Sequence, residues 1–282
     1  MLPAQTIIRK PFELSPGYSA QNAWLCALAA RDAYNLPATI DEDETDTQLI
    51  ITDHPEAIVI AFRGTQGVAD FLTDAKFRRA AIITVPGAEV HRGFLRAYCS
   101  VDMAIKARLV SLPSLKPIFI TGHSLGGALA TLCARSLAED PLFSNQLHSV
   151  YTFGQPRVGN GKFSRYYNWL KIGSGDQRQP SHSSAVYSPA LKDHTYRFIN
   201  AEDIVPRVPG WLMGYRHVGA RLFFSSFREL ELNPTLWLLA LSDLCGVVNA
   251  WVLKRELTLL TSHGMDRYLD QLSTLKSQPS TR

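Results

Sequence analysis

The stretch FITGHSLGGAL, residues 119–129, sets one serine, Ser124, among Gly122, Gly126 and Gly127, where a β-branched run gives way to strong helix formers. A serine hydroxyl is a weak nucleophile near neutral pH, so attack on a carbonyl needs a base and a group to orient that base. PIFITG from 117 reads as a strand and GGALATLCARSLA from 126 as a helix. The G-x-S-x-G spacing between them predicts a sharp strand-to-helix turn. Such a turn exposes the serine oxygen and points a helix N-terminus at developing negative charge.

Around such a turn the acid and then the histidine follow the serine along the chain. In FINAEDIVPRVP, Asp203 follows a strand end and precedes Pro206, which makes it the candidate acid. Its neighbour Glu202 is expected to point elsewhere, and Asp193 lies before the strand, at the wrong end of the sheet. His263, in a Gly-bearing break before a terminal helix, is the candidate base. His217 opens the strand-like HVGARLFF and reads instead as a packed, structural histidine. His123 is expected to face away from the nucleophile, and His91 to satisfy backbone groups at the start of the helix at 93. An oxyanion needs donors, each typically worth about 10²–10³ in rate. Leu125 offers its backbone N–H; Thr65, in AFRGTQG after the strand AIVIAF, offers a second N–H and a hydroxyl.

These residues need a frame. Apolar, β-rich runs recur at 49 (LIITD), 57 (AIVIAF), 117 (PIFITG), 148 (HSVYTFG), 195 (TYRFIN) and 220 (ARLFF), mostly separated by helical patterns. From 93 onward Phe94, Ala97, Val101, Ala104 and Ile105 are expected on one helix face. Alternation of this kind predicts an α/β chain with a mostly parallel sheet covered on both faces, and a site beyond the carboxyl ends of its strands. At 282 residues, 46% hydrophobic and 19% charged, with no linker, repeat or low-complexity block, residues 1–282 read as one domain. The formal charge of +4 is scattered, so no nucleic acid partner is expected. The four cysteines show no CxxC pair and are expected to be buried free thiols. Residues 1–20 hold no apolar run of signal-peptide length, which makes a cytoplasmic chain the default, with peripheral membrane contact open.

With these pieces placed, the sequence resembles the class 3 lipases, the fungal-lipase-like branch of the α/β hydrolases. The match rests on AFRGT, VHRGFLRAY, ITGHSLGGALA, YTFGQPRVGN, NAEDIVPRVP and SHGMDRYL, in family order from about residue 57 to 270. The resemblance implies an α/β-hydrolase fold, a triad of Ser124, Asp203 and His263, an oxyanion hole of Thr65 and Leu125, and carboxylester hydrolysis through an acyl-enzyme. It implies a lipid or ester substrate, with no metal and no cofactor. A lipase acting on acylglycerol esters is the leading reading; a phospholipase, galactolipase, small-ester esterase, acyltransferase or non-catalytic binding protein stands as an alternative.

Three stretches are not absorbed by the triad. Residues 171–194 read as a polar, loop-like insertion. In residues 67–77 Val68, Phe71 and Leu72 share a helical face, as in a small lid, and the matching segment in this family is often the lid. Residues 235–253 place Trp237, Leu241, Leu244, Val248 and Trp251 on one stripe, which suits a packed cap helix or a surface that docks on lipid. The interruption at Asp243 argues against a full membrane span.

Overall fold

The computed structural model describes residues 11–65, 78–113, 115–173, 189–225, 230–232 and 263–276. The expected lid at 67–77 and the apolar stretch 235–253 lie outside the described residues, as does 174–188 within the expected insertion.

The principal sheet has eight strands: β1 (Ile40–Glu42), β2 (Thr47–Asp53), β3 (Ile58–Phe62), β6 (Ile118–His123), β7 (Leu147–Phe153), β9 (Thr195–Asn200), β11 (Ala220–Phe224) and β12 (Leu230–Leu232), side by side in that order. From β3 through β6, β7 and β9 to β11 every pairing is parallel; β1, β2 and β12 add antiparallel edges. A smaller antiparallel sheet joins β4 (Arg79–Ala81), β5 (Glu89–His91), β8 (Gly159–Asn160) and β10 (Tyr215–Arg216) in the order β10-β8-β5-β4. The central parallel strands are buried almost throughout, which is why they read as continuous β-branched and aromatic runs.

Helices cover both faces. On one side lie α1 (Ala20–Asp32) and α5 (Met265–Lys276), packed with Phe119, Tyr151, Phe153 and Phe198. On the other lie α2 (Arg92–Val110), α3 (Leu125–Glu139) and α4 (Gly161–Trp169), packed with Ile60, Ile118, Ile120 and Val150. Each strand alternates its side chains between the two cores, as period-2 geometry requires. Helix α1 starts cleanly because the Ser19 hydroxyl accepts the Asn22 N–H at 3.0 Å.

Several expectations need correction. The buried stripe of α2 is Phe94, Ala97, Tyr98, Val101, Ile105 and Leu109, while Ala104 is exposed. At 100° per residue Ala104 falls outside the arc that these residues share. Cys26 and Cys133 are buried and free, whereas Cys99 is free and exposed on the outer side of α2. The expected insertion is anchored at its base: Lys171 bridges Ala190, Ile172 N–H donates to the Pro189 carbonyl at 3.1 Å, and Ile172 and Leu191 are buried. Its ends therefore belong to the core rather than to a polar loop.

Candidate active site

Ser124 is the residue between β6 and α3, with φ +58° and ψ −128°. For a residue with a Cβ that conformation stores about 1–3 kcal/mol of strain and persists only where its surroundings hold it. The flanking glycines show how. A Cβ on Gly122 would collide with the Gly126 carbonyl, and one on Gly126 would collide with the Phe62 carbonyl and sit 2.9 Å from the Arg63 carbonyl carbon. The first turn of α3 thus lies directly on β6 and on the end of β3, which only bare backbone permits. Leu125, at the first position of α3, follows Ser124 in that turn.

The loop leaving β3 reaches the same place. A Cβ on Gly64 would lie 2.6 Å from the His123 carbonyl oxygen and 3.2 Å from the Ser124 Cβ. Thr65 is the next residue along. Ser124 after β6, Gly154 after β7 and Asp203 after β9 all lie past the carboxyl ends of parallel strands, as the strand-end rule for such sheets requires.

Asp203 is fully buried, and both of its oxygens are occupied. Oδ2 accepts from His263 Nδ1 at 2.8 Å and from the Tyr268 hydroxyl at 2.6 Å; Oδ1 accepts the Val205 N–H at 2.9 Å. The bond to Asp203 leaves His263 Nε2 as the free ring nitrogen, buried and without a hydrogen-bond partner. Gly154, at φ +59°, lies against this pair: a Cβ there would be 2.8 Å from Asp203 Oδ2 and 2.9 Å from His263 Nδ1. Burial, reinforced by the Asp203 carboxylate, holds the Tyr268 hydroxyl well above the usual phenol range, so it remains a donor to Asp203.

His123 takes part in the site, where the sequence reading assigned it no role. Its Nε2 lies 2.6 Å from the His263 carbonyl oxygen and its Nδ1 lies 2.9 Å from the Tyr34 hydroxyl. A carbonyl only accepts, so Nε2 carries the proton and Tyr34 donates to Nδ1. Burial and the nearby His263 push the His123 ring well below the usual imidazole range, keeping it neutral. The two rings lie 4.4 Å apart, centroid to centroid, at 32°. A neutral neighbour does not oppose an imidazolium forming on His263.

The other weighed residues lie elsewhere. His217 donates from Nε2 to the Pro206 carbonyl at 2.8 Å. His91 caps α2, accepting the Phe94 N–H at 3.4 Å. Glu202 is partly exposed, 3.6 Å from Arg267, and Asp193 sits in the turn before β9. Gly154 and Tyr268 were missed as site residues although both stand inside motifs quoted above. Tyr34 had no signal of its own, since its partner is 89 positions away.

A family model for Lipase (class 3) matches residues 59–213. The chain belongs to the class 3 lipase family. The lipase of Rhizomucor miehei is 34% identical over 62% of this chain and 44% of its own length. The secreted mono- and diacylglycerol lipase 1 of Fusarium solani is 34% identical over 60% of this chain and 44% of its own. Among solved structures, a triacylglycerol lipase described as having a serine protease triad as its catalytic centre is 30% identical. That likeness covers 67% of this chain and 65% of the other, with a TM-score of 0.52. The chain spans less than half the length of the two curated relatives. This chain shares the α/β-hydrolase fold with that solved lipase, with its mostly parallel sheet between helices. The cytoplasmic default is corrected here: class 3 lipases similar to this chain include secreted proteins. Compartment is addressed by segments separate from the fold, so the composition of residues 1–20 was a poor guide to it.

Proposed function

We propose that this class 3 lipase hydrolyses carboxylic esters of acylglycerols through an acyl-enzyme, with Ser124, Asp203 and His263 as its triad. The observation that carries the proposal is the buried Asp203–His263 bond, which spends Nδ1 and leaves Nε2 as the one ring nitrogen able to take a proton. In the first half-reaction the Ser124 Oγ attacks the ester carbonyl as its proton passes to His263 Nε2. The tetrahedral oxyanion is stabilised by the backbone N–H groups of Leu125 and Thr65. As the intermediate collapses, His263 returns the proton to the departing alcohol. Water then attacks the acyl-enzyme with His263 again as base, and the fatty acid leaves. Asp203 keeps the imidazole in the required tautomer throughout, and the Tyr268 hydroxyl and Val205 N–H keep Asp203 aimed.

The acylglycerol substrate is supported by relatives whose names specify mono-, di- and triacylglycerols, and an extracellular setting by relatives named as secreted. A lipid interface is the proposed partner. The test is an initial-rate panel of mono-, di- and triacylglycerols, phospholipids, galactolipids and short soluble esters, run beside Ser124→Ala. Acylglycerol turnover that vanishes in Ser124→Ala is expected; residual turnover in that variant, or activity confined to another ester class, would overturn the proposal.

A further inference from the structure

Tyr34 stands two residues past the end of α1, in a turn that is tightly held. Its N–H donates to the Arg31 carbonyl at 3.0 Å, and the Leu36 N–H donates to that of Asp32 at 2.8 Å. The preceding residue, Ala33, is buried with Ile50 of β2 and Ala61 of β3. Those contacts seat the turn on the strand whose end leads into Arg63, Gly64 and Thr65. The backbone leaving that strand is tied as well, since the Arg63 N–H donates to the Gln48 carbonyl at 2.9 Å.

From this platform the Tyr34 hydroxyl meets two parts of the site at once. It lies 2.9 Å from His123 Nδ1 and donates its proton there, because Nε2 of the same ring donates to the His263 carbonyl at 2.6 Å. On its other side the hydroxyl is pressed against the loop after β3. A Cβ on Gly64 would collide with it, and the Gly64 N–H interacts with the phenol oxygen. Burial, partly offset by that N–H and by Arg63, holds the phenol up at about 12, so the hydroxyl keeps the proton it donates. Its one proton thus serves the base's side of the site, and its oxygen faces the oxyanion side.

We propose that Tyr34 is a positioning residue whose hydroxyl holds the Gly64–Thr65 turn, and so the Thr65 oxyanion donor, in fixed register with His263 by way of His123. The inference rests on the triad and oxyanion hole proposed above. Attack by Ser124 creates the oxyanion as the proton reaches His263, so donor and base must be placed relative to each other and not only each by itself. Tyr34 does this without touching a reacting atom: it acts through Gly64 on one side and His123 on the other.

A long-chain trifluoromethyl ketone separates this role from stability alone. Ser124 Oγ bonds to the ketone carbon, the carbonyl π electrons pass to its oxygen, and the serine proton moves to His263 Nε2, so the adduct draws on donor and base together. Tyr34→Phe is expected to weaken ketone binding and to lower kcat on a short soluble ester by the same factor, about 2–10-fold, with KM unchanged. Leu25→Val loosens the packing of α1 without touching the hydroxyl. That variant is expected to lower the unfolding midpoint while ketone affinity stays at the parent's value. Equal ketone affinity in Tyr34→Phe and the parent, or an equal loss in Leu25→Val, would overturn the inference and leave the proposed chemistry standing. A parent that binds no ketone would overturn both.

Discussion

Strand β9 serves two buried polar clusters that are satisfied very differently. Past its carboxyl end, Asp203 receives an imidazole, a phenol and a backbone N–H, and the one atom left over is His263 Nε2, which ester chemistry would use. Mid-strand, Arg197 has one carbonyl for its Nε, like charges for neighbours, and an orphaned Nη1 that no catalytic step needs. An orphaned atom in the first cluster marks a reactive position; in the second it is a buried guanidinium donor that the proposed chemistry does not use. The distinction rests on the charge around each orphan, since a carboxylate lies beside the first and arginines lie beside the second.

Removing the reactive atoms should have the largest effect. Ser124→Ala and His263→Ala are each expected to lower kcat by about 10⁴ or more, and the double variant by little beyond that, because triad members act as a unit. A fluorophosphonate should label Ser124 alone, read by peptide mass. If His217→Ala proved as damaging as His263→Ala, the two histidines would have been assigned to the wrong clusters.

Tyr268→Phe probes how completely the first cluster is satisfied. The hydroxyl gives Asp203 a charge-assisted bond, and such bonds contribute about 1.5–3 kcal/mol. A loss of that size in unfolding free energy is expected by denaturant titration, with kcat falling about 10-fold while Asp203 keeps its other two donors. An unaltered unfolding midpoint would show that the bond contributes nothing net.

How much of this was legible in sequence follows from where the information lies. Ser124, Asp203 and His263 could be singled out because each sits at a strand end or helix start that local composition marks, within short motifs. The central strands were legible for the same reason, since burial on both faces writes them as unbroken apolar runs. The short edge strand Ile40–Glu42 and the paired residues of the small sheet, such as Gly159–Asn160 and Tyr215–Arg216, are too brief to carry any period. Tyr34 and Arg197 were invisible because their meaning is a partner, or the lack of one, on a distant strand. Cys99 was misread because a thiol in a helical pattern says nothing about which face it occupies.

Both clusters also contain a histidine kept neutral by burial, and pH should expose them together. His123 faces His263, Tyr34 and Tyr268; His217 faces Arg197, Arg157 and Arg221. In the unfolded chain each takes up a proton below about pH 6.5. In the folded protein both remain neutral to lower pH, so the unfolded state binds more protons and stability falls as pH drops through that range. Each histidine contributes a slope approaching 1.4 kcal/mol per pH unit. Unfolding free energy measured between neutrality and pH 5 should show the decline, and His217→Gln should remove one proton's share. A slope identical in the parent and in His217→Gln would mean that the ring titrates as it does in the unfolded chain.

The smallest effect concerns the link between the nucleophile's neighbour and the base. Tyr34→Phe leaves His123 Nδ1 without its donor but keeps the ring's bond to the His263 carbonyl, so His263 loses only the outer support of its backbone. A net hydrogen bond of about 0.5–1.5 kcal/mol corresponds to roughly 2–10-fold in rate. That loss is expected in kcat with KM unchanged, because neither Tyr34 nor His123 is assigned a contact with the ester. His123→Asn should behave worse than Tyr34→Phe, since it shortens the side chain that reaches the carbonyl itself. A Tyr34→Phe enzyme with a raised KM and an intact kcat would place Tyr34 in the substrate pocket instead, and the path from Tyr34 through His123 to His263 would carry no positioning role.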